Sequence, residues 1–304
     1  AKELALTDLV LTRDLRVIVT MAEQWKKDAG PSVREHLASL EARARPDDAV
    51  ATIEAYREVL ARYPNDFIIR SRCAEELLEA GRHAEALEQA QQLVEYHPFR
   101  RDSRRLLGEA LAASERLPEA LDVLTQLCRV YPDDEKAVFA LAKTRCAMDD
   151  PEGGLNDYRR GLRFDPNAYK AIVAMGDVIE ELGDHGEAAA THRRAIRISR
   201  RSSESFERLD ALWRQTLSPE GRAAKWRGMV AEFSDAPLAF SYLGSSLRDV
   251  SDWQGAVDAF ARWVDLSPDD EAAREFLGAA RSALDDQEAL VLARSGTRRG
   301  RSPG

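Results

Sequence analysis

Residues Arg101–Asp134, RDSRRLLGEALAASERLPEALDVLTQLCRVYPDD, decide how the rest of the chain is read. Leu107-Gly108 and Leu111 punctuate its first half, Ala120 and Leu124 its second, and Pro132 falls near its end. That order and spacing predict a helix-turn-helix unit of about 34 residues. The proline sits where the second helix must stop, because it lacks an N–H donor and clashes with the preceding turn.

The same punctuation recurs outward in both directions. Pro64, Pro98, Pro132 and Pro166 stand 34 residues apart, and Pro268 lies three periods further on. Gly108, Gly176, Gly244 and Gly278 share one slot, and Ala86, Ala120, Ala188 and Ala256 share another. The register divides the chain into seven units, 33–66, 67–100, 101–134, 135–168, 169–202, 203–236 and 237–270. Residues 1–32 precede them as an N-terminal helical cap, with Leu9 to Trp25 as its apolar run and a β-rich reading of Val17 to Thr20 as the local alternative. Residues 271–294 repeat a first helix and close the array, and 295–304 are a basic, Gly/Ser/Pro-containing tail expected to be disordered.

In aggregate these slots resemble the tetratricopeptide repeat (TPR) family. The resemblance implies an all-α fold, a right-handed α-solenoid of antiparallel helix pairs with helices of about 13 residues. It also implies a non-catalytic scaffold that holds a peptide or helix of another protein in a concave groove lined by first helices. A single helix pair cannot bury its apolar face, so the units must stack. The small slots are read as places where the backbones of paired helices approach. Tyr56, Leu124, Tyr158, Trp226 and Phe260 are read as filling space against the next unit.

Composition narrows the function. A net charge of −9 disfavours a general nucleic-acid binder, which leaves an RNA-binding helical repeat as a minor alternative. A hydrophobic share of 44% with 32% charged residues fits a folded helical chain. The three cysteines, Cys73, Cys128 and Cys146, form no CxxC pair and read as small core residues, which favours a reducing, cytoplasmic setting. No run of about 18 apolar residues marks a membrane span, and the absent initiator Met leaves a processed or excised fragment open. Zinc-protease, dinucleotide, P-loop and nucleophile-elbow motifs are absent, so no enzyme, cofactor, metal or small-molecule substrate is expected. A second reading makes the array the regulatory or substrate-recruiting arm of a larger enzyme.

Particular residues carry further expectations. Asp133-Asp134 and Asp269-Asp270 read as helix caps rather than calcium ligands, and Asp150-Pro151 as an N-cap and first helical residue. Gly153 and Gly154 then make that the loosest turn of the array. Arg193, Arg194, Arg197, Arg200 and Arg201 form a basic run, read as a solvated face or as a patch for phosphate or an acidic partner. His192 stands in a large apolar slot, and reads as a packed core residue. In unit 203–236 both small slots carry charge, so Asp210 and Arg222 are expected to pair at the expense of wider helix spacing. Arg200 and Ser234 replace the neighbouring prolines, which marks this unit as the irregular one.

The candidate partner groove is drawn from slots facing away from the neighbouring unit: Arg72, Arg105, Lys136, Phe139, Lys143 and Lys170. A basic line with one aromatic suits an acidic peptide or helix, with Phe139 as apolar anchor. The competing reading has Glu75, Glu109 and Asp177 neutralise these cations. Tyr242 and Arg248 are the fallback site. The clamp by which some TPR proteins grip a C-terminal carboxylate needs Lys, Asn and Arg on three successive first helices. The matching slots offer Ser71, Glu75, Leu106, Lys136 and Ala140, and only Lys136 fits.

Overall fold

The computed structural model describes residues 49–299 as fourteen α-helices, with no strand among the described residues. The predicted N-terminal cap and the first helix of unit 33–66 lie outside them. The chain divides into two compact parts, Ala1–Pro166 and Asn167–Gly304. In the first, α1 (Ala49–Arg62) is followed by the pairs α2 (Phe67–Glu79) and α3 (His83–Tyr96), α4 (Arg101–Ala113) and α5 (Leu117–Val130), and α6 (Glu135–Ala147) and α7 (Pro151–Gly161). In the second, α8 (Tyr169–Glu181) pairs with α9 (His185–Ile198), and α10 (Ser203–Thr216) with α11 (Pro219–Glu232). The pair α12 (Pro237–Asp249) and α13 (Trp253–Leu266) follows, then α14 (Glu271–Arg299). The result is an all-α solenoid of antiparallel helix pairs in the predicted register.

Helix ends show what the prolines do and do not decide. Helices α1, α3, α5 and α13 stop two residues before Pro64, Pro98, Pro132 and Pro268. Yet α9 and α11 stop at the same place, where Arg200 and Ser234 stand instead. There the next backbone N–H still closes a last bond, Ser199 to the Ala195 carbonyl and Phe233 to that of Met229. Packing therefore sets the stop, and proline reinforces it. After three of these stops an acidic residue starts the next helix: Asp66, Asp134 and Asp270 accept from Ile69, Ala137 and Ala273 backbone N–H groups at 3.0, 3.1 and 3.3 Å. Asp150 caps α7 through Gly153 at 3.0 Å, with Pro151 as first helical residue.

Between the two helices of a unit the chain turns through a left-handed residue, with φ between 59° and 84° at Gly81, Glu115, Asp149, Gly183 and Ser251. Unit 203–236 departs from this: Leu217 is extended, at φ −125° and ψ 156°, and α10 runs one residue longer than other first helices. Glycine suits the left-handed position where a Cβ is penalised. Glu115→Gly is thus expected to raise stability by about 0.5–1 kcal/mol. Urea unfolding that shows no gain would refute the claim that this turn is strained.

The glycine slot corrects one expectation. A Cβ on Gly108 would lie 2.5 Å from Leu124 Cγ, one on Gly176 would lie 2.6 Å from His192 Cε1, and one on Gly244 would overlap Phe260. The large side chain of the second helix thus sits on the glycine of its own unit, not only against the next one. Phe260 does both, since Phe276 packs on it at 5.5 Å; Trp226, whose unit has Asp210 in the glycine slot, donates to that carboxylate and stacks on Tyr242 at 4.9 Å. Gly154 is held by a similar closeness, to Cys146 Sγ and the Ala142 carbonyl, so it is a packing residue rather than a slack one. At the far end α14 continues through Ser295 to Arg299, past the expected stop near Arg294, because no proline interrupts it before Pro303; residues 300–304 lie outside the description.

Candidate functional site: the face of the first helices

First helices of successive units pack against one another, α2 against α4 and α4 against α6, and so share one face of the first part. Their outward slots hold the predicted line. Arg72 and Arg105 are buried, and both are engaged within the chain. Arg72 donates to Glu75 at 2.8 Å. Arg105 donates through one nitrogen to both oxygens of Glu109 at 2.9 Å, and through the other to Glu75 at 3.3 Å and Asp102 at 3.5 Å. The ladder Arg72–Glu75–Arg105–Glu109 thus ties α2 to α4.

Burial pulls on these charges in opposite senses. Arg105 is held above its ordinary range because Glu109, Glu75 and Asp102 outweigh its desolvation. Desolvation pushes the Glu109 carboxyl up, with Arg105 and Lys143 working against it. Two of the six predicted contact residues are therefore structural cations, as the competing reading held for Glu75 and Glu109.

The remaining members divide differently. Lys136 and Lys143 are exposed on α6, and no hydrogen bond or ion pair occupies either among the described residues. Phe139, between them, is half-buried, with its ring 6.4 Å from that of Tyr158 and lying over Gly161. That ring belongs partly to the core, so its truncation cannot be neutral for stability. Lys170 is exposed near the start of α8, in the second part.

The second part absorbs its charges between neighbouring helices. Arg193 and Arg197 bind Glu232, and Arg200 binds both oxygens of Asp235 at 2.6 and 2.5 Å. The Arg193 hydrogen bond holds Glu232 below the usual carboxylate range. Three of the five arginines thus link unit 169–202 to unit 203–236, while their side chains stay about half exposed. These carboxylates were in the sequence, spaced 35–39 residues from their arginines, and one period plus a few residues was the signal that could have found them. Tyr242 is half-buried against Trp226 and Phe206, and Arg248 lies over Phe276 at 5.5 Å.

Asp210 and Arg222 do meet, Nε to Oδ1 at 3.8 Å, with both side chains buried. Closer partners share them. Asp210 accepts from Trp226 Nε1 at 2.8 Å and Arg214 at 2.6 Å, while Arg222 donates to Asp249 of the next unit at 2.5 Å. The pair is one link in a chain Arg214–Asp210–Arg222–Asp249, and α10 and α11 approach each other less closely than the other pairs, as expected.

Burial pushes the Cys73 and Cys128 thiols up to about 11, so both stay protonated at neutral pH. No group of three or more His, Cys, Asp or Glu suited to a metal occurs among the described residues. No described helix is long and apolar enough to cross a membrane.

Stacked helix pairs with a shared face of first helices define a helical-repeat scaffold for protein interaction. More narrowly, the repeats are of the tetratricopeptide kind: the tetratricopeptide repeat family model matches residues 74–135, and the described helices keep the same repeat on either side of that stretch. Lipopolysaccharide assembly protein B of Escherichia coli K12 is 24% identical over 214 residues, which span 67% of this chain and 54% of that protein. Protein O-mannosyl-transferase TMTC1 of Homo sapiens is 25% identical over 206 residues, 64% of this chain and 23% of that protein. The chain thus spans about half the length of the bacterial relative, and less of the human one. Among solved structures, a thermophilic TPR protein of Thermus thermophilus superposes with a TM-score of 0.54 at 18% identity, over 60% of this chain and 98% of that one. The Cut9-Hcn1 APC/C hetero-tetramer gives 0.52 at 13% identity, over 85% of this chain and 52% of that one. Both likenesses concern the fold.

Proposed function

We propose that the scaffold takes an acidic extended or helical segment of a partner protein on the face shared by α2, α4 and α6. The observation that carries the reading is the contrast between neighbours: Arg72 and Arg105 are spent on carboxylates, whereas Lys136 and Lys143 stand exposed and unengaged on either side of Phe139. Such cations steer encounter and fix register, while the exposed edge of the aromatic ring supplies apolar contact. The ladder serves as the rigid floor on which the contact is made. Lys170 lies in the second part and stands outside this site.

The test uses the partner recovered by pull-down with this array. Lys136→Glu together with Lys143→Glu is expected to weaken its binding by about tenfold or more, roughly 1.4 kcal/mol, while helicity and melting are unchanged. The loss should shrink at high ionic strength. Undiminished binding by the double variant would move the site elsewhere, first to Tyr242 and Arg248.

Two relatives shape the wider role. The bacterial one is named for assembly, which supports reading this array as a scaffold on which other proteins are brought together. The human one is a transferase of which the matched stretch is a minor part, which favours the second reading, an arm that recruits substrate for a catalytic domain.

A further inference from the structure

Large apolar side chains exposed singly mean little, but three in the same repeat slot mean more, because a solenoid sets equivalent positions of successive units side by side. Tyr96 and Val130 are the last residues of α3 and α5, and Phe164 lies in the turn three residues after α7; the three are spaced 34 residues apart and are 42%, 59% and 50% exposed. Phe99, three residues after Tyr96, is 88% exposed. Arg129 and Arg163, each just before an apolar member, are exposed and have no ion pair among the described residues. Glu95 holds that slot in the first unit of the three, so the basic character belongs to the Val130–Phe164 end. This edge is separate from the face of the first helices.

The complementary surface is on α14. Its first three turns pack on α13 through Ala273, Phe276, Leu277 and Ala280. Beyond Ala280 none of the described side chains is buried, and Gly278, whose counterparts lie under Leu124, His192 and Phe260, has nothing within 4 Å. The exposed stretch bears Asp285, Asp286 and Glu288, with Leu290 59% exposed and one turn after Asp286 on the same face. One surface is apolar with unpaired guanidiniums, and the other is apolar with exposed carboxylates.

We propose that α14 of one copy docks on the Tyr96–Val130–Phe164 edge of a second copy, Asp285, Asp286 and Glu288 meeting Arg129 and Arg163. The two patches differ, so the contact is head-to-tail, and it extends into rings or longer chains instead of stopping at a two-fold dimer. Apolar contact supplies the attraction and the charges supply orientation.

Sedimentation velocity on the full chain over micromolar to submillimolar concentration tests this. The mass should rise with concentration past that of a dimer. Val130→Ser with Phe164→Ser should weaken association by about tenfold or more, as should Arg129→Glu with Arg163→Glu, or Asp285→Lys with Asp286→Lys and Glu288→Lys. All replaced residues are exposed, so melting should be unchanged, which separates lost contact from lost folding. Uniting the two charge reversals in one chain should restore association. Lys136→Glu with Lys143→Glu should leave it intact, which keeps this result distinct from partner binding. A chain that stays monomeric throughout, a closed dimer, or a charge-swapped variant that fails to recover overturns the proposal.

Discussion

Replacing His192 by leucine should stabilise the protein, with a gain that grows as pH falls. The imidazole is fully buried over Gly176, and neither ring nitrogen has a hydrogen-bond partner; Asp177 approaches Nε2 only to 3.8 Å. Desolvation, reinforced by Arg208, lowers its pKa from 6.5 to about 4. Between those values the unfolded chain binds a proton that the folded chain does not. Stability is therefore lost as pH falls from near 6.5 to near 4, by roughly 3 kcal/mol from this group, and no further below. Partial burial raises Asp177, whose contribution has the opposite sign lower in the window, since acidification relieves a half-buried carboxylate. Leucine already fills the equivalent space over Gly108, so the substitution fits a shape the repeat accepts. It also removes two unsatisfied buried nitrogens, a gain of about 1–3 kcal/mol even at pH 7.5. Urea midpoints for both proteins at pH 7.5 and 4.5 check this, and equal acid sensitivity would show that His192 is not buried neutral.

The second large effect is a loss. Asp210→Ala should cost about 1–3 kcal/mol, because it leaves the Trp226 indole N–H without an acceptor and the buried Arg222 with Asp249 as its remaining carboxylate partner. Asp210→Asn keeps an acceptor for Trp226 but not the charge, and should cost roughly half as much. Apart from Trp25 the tryptophans lie at positions 213, 226, 253 and 263, so their fluorescence reports on this stretch of the solenoid. Because solenoid units can unfold separately, that local signal is the right probe. An Asp210→Ala protein with an unshifted tryptophan transition would mean that the charge chain contributes nothing.

How much of the site was legible differs from residue to residue. Lys136 and Lys143 were found as exposed cations because helical periodicity fixes which side of a helix points outward. Arg72 and Arg105 were placed on the right face, but their engagement by Glu75, Glu109 and Asp102 depends on how closely α2 and α4 lie, which no single helix encodes. Phe139 was read as a free anchor and is half core, because Gly161 in the following helix leaves room for its ring.

The sequence by itself determined the helices, their pairing, the 34-residue register and the caps, since each rests on contacts among residues close along the chain or on one repeated slot. Asp134, Asp150 and Asp270 cap as read because a cap needs only the next three residues. Only the tertiary structure decided what each large side chain sits upon, which arginines are spent, and where second helices stop without a proline. Those outcomes depend on the distance between backbones that meet across a turn or across a unit, and packing alone sets that distance.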